Sequence, residues 1–143
     1  MFNPTRDQAR DFFFDTWSKS QNRTPLTPLE SVALAILADH PEYHAVLGDP
    51  ERNRDREWRP EGGESNPFLH LSMHLAIEEQ LSIDQPPGIR DAVNALARRR
   101  DSEHEARHDV MECLAEMVWQ AQRNARPFDN TAYLDCLRAK AKG

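Results

Sequence analysis

Apolar residues recur along this chain at intervals of three and four, the period of a helix, and no segment alternates at period two as a half-buried strand would. Phe13, Trp17 and either Phe12 or Phe14 form such a stripe in a segment spanning 4–19, opened by the cap-then-proline signal Asn3-Pro4. Thr27 reads as the N-cap of a second helix, from Leu29 to Ala38, whose apolar content predicts the most buried element of the chain. Pro41 cannot continue that helix without losing a backbone hydrogen bond, so a break at Asp39-His40 and a restart at Pro41 are expected.

From 48 to 65 the chain is Asp, Glu, Arg, Pro and Gly around a lone Trp58, which predicts a long solvated loop with the indole as anchor or lid. Asn66-Pro67 repeats the start signal and opens a third helix to about Leu81, stopped by the turn 84–88. A fourth runs from Ile89 to about Arg99 on the stripe Ile89, Val93 and Leu96. Ser102 with Glu105 forms a capping box, so a fifth helix is expected over 103–124, with Leu114, Val118 and Trp119 along it. Asp129 or Asn130 caps a short C-terminal helix marked by Tyr133, Leu134 and Leu137. The pattern as a whole predicts an all-α fold: a single-domain helical bundle of about six helices over 1–143, with a long loop near 48–65.

Composition narrows the function. A formal net charge of −6 disfavours a general nucleic-acid or anionic-membrane surface, and no apolar run approaches the roughly 18–20 residues of a membrane span. Asp7, Arg10 and Asp11 make the first residues unlike a signal peptide, so a cytoplasmic location is expected. Cys113 and Cys136 stand outside any Cys-x-x-Cys pattern and read as two ordinary helix cysteines with no disulfide framework.

The six histidines fall into three pairs at four-residue spacing: His40 with His44, His70 with His74, and His104 with His108. Two pairs continue the step into a carboxylate, Glu78 and Glu112. Residues four apart on a helix are neighbours on one face, so each set can converge on one point. With the break at Ser102, alternating helix direction would put all three pairs in one layer. Imidazole and carboxylate together suit a divalent metal, iron by preference with zinc, manganese or copper as others, and eight candidate ligands suggest a binuclear centre, or one metal with outer-shell partners. Asp39, Asp109 and Glu116 are outer-shell candidates.

In style the arrangement resembles hemerythrin-type bundles, in which His pairs and His-x3-Glu steps hold a di-iron centre; His74-x3-Glu78 and His104-x3-His108 match, while the third His pair and the absent His-x4-Asp step depart from it. That resemblance implies dioxygen or another small molecule as ligand. The strings at 40–44, 66–74 and 111–123 resemble a small bacterial family known as a domain of unknown function, number eighteen-forty-one, which implies no activity. Two rivals stand beside the redox, oxygen-related or metal-handling reading. His104-Glu105-x-x-His108 satisfies the zincin pattern, a zinc hydrolase with Glu105 as general base, although no strand precedes it to align a peptide. A metal-free helical adaptor would use the loop and Arg98, Arg99 and Arg100 as its partner-facing surface. Whether the chain is an enzyme is left open by spacing alone.

Overall fold

The computed structural model describes residues 5–58 and 66–143. The Asn3-Pro4 signal, and the part of the expected loop from 59 to 65, lie outside them. Among the described residues the chain is all-α, with no strand. The helices are α1 (Arg6–Gln21), α2 (Pro28–Ala38), α3 (His44–Leu47), α4 (Pro50–Asn53), α5 (Pro67–Ile83), α6 (Ile89–Arg100), α7 (Glu103–Arg123) and α8 (Asn130–Lys142), with a 3₁₀ turn at Pro41–Tyr43. Among the described residues two more helices appear than the expected six, because α3 and α4 are single turns, too short to show periodicity. Asp49 caps α4 by accepting from the Arg52 amide, so the stretch expected to be loop throughout begins with a helical turn.

The caps explain the boundaries. Thr5 and Thr27 each form a reciprocal capping box, with Gln8 and Glu30 respectively. The Asn66 side chain accepts from the amides of Phe68 and Leu69 at the head of α5. Ser102 accepts from the Glu105 amide at 3.2 Å, which starts α7 afresh after Asp101 has turned to a left-handed φ of 51° at the end of α6. Between α5 and α6, Gly88 sits at φ 96°, a conformation natural to glycine, and the Asp84 carboxylate accepts from the amides of Gly88 and Arg90.

The chain divides into two compact units, 1–76 and 77–143, the division falling inside α5. The first unit's core joins Phe13 and Phe14 of α1, Ala33, Ile36 and Leu37 of α2, Leu47 of α3 and Phe68, Leu71 and Leu75 of α5. The aromatic stripe of α1 is thus core, as its spacing predicts. Helix α2 is one-sided rather than the most buried element: Leu29 and Val32 stay 39% and 41% exposed, because only the face carrying Ala33, Ile36 and Leu37 meets other helices. Arg10 is buried in this unit and its Nη1 donates to the carbonyls of Arg54 and Arg56 at 2.8 and 2.7 Å, with Trp58 and Phe68 on its faces. Trp58 is therefore an anchor for the start of the loop.

In the second unit α6, α7 and α8 pack on one another. Ile89, Val93 and Leu96 are buried as their stripe predicts, together with Val110, Leu114, Met117, Tyr133 and Leu137. Burial pushes the Tyr133 hydroxyl's pKa up, and the group donates to Gln80 Oε1 at 2.8 Å. Val118 and Trp119 turn outward. One expectation is corrected: Cys113 and Cys136 form a disulfide, their Cα atoms 5.9 Å apart. The turn after Arg123 folds α8 back along α7 and sets opposite each other two cysteines separated by 23 residues, a proximity that no local spacing displays. Among the described residues no helix is long and apolar enough to cross a membrane.

Candidate metal centre

Three histidines of the first unit converge. His70 and His74 occupy successive turns of one face of α5, ring centroids 4.9 Å apart. His40 stands where α2 has ended and Pro41 has begun the 3₁₀ turn, and its ring lies 5.0 Å from that of His70 and 4.6 Å from that of His74. One ligand atom from each of the three lies within 4.8 Å of those of the others. His40 and His74 are buried, 2% and 4% exposed, so the cluster is held inside the unit rather than spread on its surface.

The backbone sets the chemistry of the His40 ring. Its Nδ1 lies 2.7 Å from the Ile36 carbonyl oxygen. A carbonyl only accepts, so Nδ1 carries the proton, and in the neutral ring Nε2 presents its lone pair. That Nε2 is 3.2 Å from Nε2 of His70. The Tyr43 ring lies parallel to His40 at 5.7 Å and edge-on to His70 at 5.8 Å, fixing both orientations. Burial, and secondarily the Glu42 carboxylate, raise the Tyr43 pKa, so its hydroxyl stays protonated beside the imidazoles.

His44 and the two glutamates have other partners. His44 is four residues from His40 but does not share its face, because Pro41 interrupts the helix between them. Its Nε2 donates to the Leu37 carbonyl at 2.8 Å and its ring packs, tilted, against Trp17 at 4.3 Å. In the second unit His104 and His108 stand one turn apart on α7, ring centroids 4.4 Å apart, with His104 exposed and His108 half-buried. Glu78 accepts from Arg107 Nε at 2.8 Å. Glu112 accepts from Lys140 Nζ at 2.7 Å, and that ammonium holds its carboxyl below the usual glutamate range. Asp109, the outer-shell candidate, pairs with Arg100 at 3.0 Å, and the same guanidinium reaches Glu105 at 3.0 Å. Glu105, the residue a zincin reading would use as general base, is thus engaged in a solvent-exposed ion pair. Sequence reasoning missed Tyr43 as the residue that stacks on the cluster; its place directly after the Pro41 break was the available signal.

Fold and cluster together define an all-α protein with histidines gathered so that they could hold a metal ion. Residues 5–139 match the family described as Domain of unknown function (DUF1841), and the chain belongs to that family. No curated protein and no solved structure matches it. The family assignment agrees with the strings at 40–44, 66–74 and 111–123, whereas the likeness to hemerythrin-type bundles remains one of spacing.

Proposed function

We propose that this protein binds a metal through His40, His70 and His74, and that it serves a redox, oxygen-related or metal-handling role. The observation that carries the reading is the 3.2 Å separation of two ring nitrogens, one of them already committed to lone-pair presentation by its backbone partner. Nitrogen ligands at about 2.0–2.1 Å around a tetrahedral ion lie roughly 3.3 Å from one another, so this pair stands at a chelating distance. The Nδ1 bond to Ile36 is the outer hydrogen bond that metal-bound histidines characteristically make, orienting the ring and strengthening the ligand. A metal-free cluster would account for the same distance by an N–H···N bond from His70 to His40, and metal titration separates the two.

An imidazole donor set without thiolate suits borderline ions, with iron preferred and zinc or manganese as the alternatives. His104, His108 and Glu112 stay within the proposal as donors on the strength of their spacing alone, as do Glu78 and His44, although the ion pairs of the two glutamates and the Leu37 bond of His44 compete with that role. Dioxygen or another small molecule is the proposed ligand of the metal; the proposed cytoplasmic location rests on the acidic sequence, and the Cys113–Cys136 disulfide counts against it.

The test is elemental analysis of protein purified without an affinity tag for metals or any chelator, followed by an optical spectrum in air and after reduction. About one metal per chain would match the trio, and about two would match the binuclear arrangement. His40→Ala together with His74→Ala is expected to abolish retention, and a separate His104→Ala, His108→Ala variant reads the second pair. Undiminished metal in the first variant overturns the assignment. Zinc without redox colour would favour the hydrolytic reading, and no uptake on reconstitution would favour the adaptor.

A further inference from the structure

A second site lies in the first unit, away from the histidines and independent of their reading. A pocket of about 280 Å³ opens along the start of α1 and α5. Its walls include Ala9, Phe68, Leu69 and Ala76, with the Ser72 hydroxyl and Arg10 among them. Arg10 is only 1% exposed. Its Nη1 is occupied by the carbonyls of the 53–56 turn and its faces by Trp58 and Phe68, yet its Nε is buried with no hydrogen-bond partner among the described residues. A buried N–H on a cation is expensive to leave unmade, and its natural acceptor is an anion that can approach the edge of the guanidinium.

We propose that this pocket binds a small monocarboxylate with an apolar body, its carboxylate on the Arg10 guanidinium and its body against Ala9, Phe68, Leu69 and Ala76. Three observations select that class. The walls are largely aliphatic and aromatic, which suits a hydrocarbon body better than a sugar or nucleotide. Asp7, Asp55 and Glu57 act electrostatically on Arg10, so a doubly charged phosphate would meet nearby like charge where a single carboxylate meets less. The volume of about 280 Å³ admits an acid the size of hexanoate or benzoate. Arg6, also on the pocket wall, adds a second positive charge.

The experiment titrates the full chain with hexanoate, and separately with hexan-1-ol, by calorimetry and by amide chemical shifts. Saturable binding of hexanoate is expected, with hexan-1-ol weaker by about tenfold or more, the equivalent of a hydrogen bond to a charged group. Ala76→Leu and Ser72→Leu, which fill the pocket without touching Arg10, should each weaken hexanoate by about tenfold or more while the helical circular dichroism is kept. If one of the two fails to fold, the other carries the comparison. Equal affinity for acid and alcohol, undiminished binding by the folded filled variants, or no saturation up to about 10 mM would each overturn the proposal.

Discussion

The His40 ring is fixed by the Ile36 carbonyl on one edge, by the Tyr43 ring on one face and by the His70 nitrogen at its other edge. None of these constraints is visible in the four-residue spacing that first singled the residue out; spacing predicts neighbours on a helix and is silent where a proline ends it. Glu30 shows a similar convergence. Its carboxylate closes the Thr27 capping box and accepts from Lys19 Nζ at 2.8 Å, and those bonds, the lysine's first, lower its pKa below the ordinary value of 4.5. A carboxyl depressed in the folded state adds stability that is complete above its unfolded pKa and is lost as pH falls through the folded one. Glu30→Gln should therefore lower the unfolding midpoint at neutral pH and lessen its decline below about pH 4.5, as thermal scans across that range would register. An unchanged acid limb would remove Glu30 from the account.

At the scale of elements, the sequence is most informative where a cap has its own chemistry. Thr27, Asn66, Ser102 and Asp129 each mark a helix start within a residue or two, because a side chain that satisfies orphan amides leaves a recognisable residue type there. Ser102 bears the most weight, since it separates α6 from α7. Ser102→Ala should cost about 1 kcal/mol in urea unfolding, and a loss below a few tenths would mean that the left-handed Asp101 alone makes the break. The single-turn α3 and α4 were illegible because four residues hold no period. The separation of His44 from His40 was legible in Pro41, which ends the helix between them; the bond of His44 to Leu37 was not. The sequence of helix α2 is apolar nearly all round, but only one stripe has helices to meet, so its content overstates its burial.

For the whole molecule, the all-α class and the core stripes of α1 and α6 follow from patterning that survives in one dimension, whereas long-range pairing, that of His40 with His70 and His74 included, does not. The cysteines are the plainest case. Each looked like a small apolar residue on its own helix, and the bridge exists only because α8 returns along α7. Constraining a loop of that length restricts the unfolded chain by about 3 kcal/mol in the chain-entropy account. The bridge also makes this part of the protein a ring. The exposed turn between α7 and α8, residues 124–127, lies inside that ring. A protease that severs it does not divide the molecule: the clipped protein should migrate as one species on a non-reducing gel and as two after a thiol is added. Two species without the thiol would mean the ring is open; with the ring closed, a single non-reducing band is no evidence of an uncut backbone.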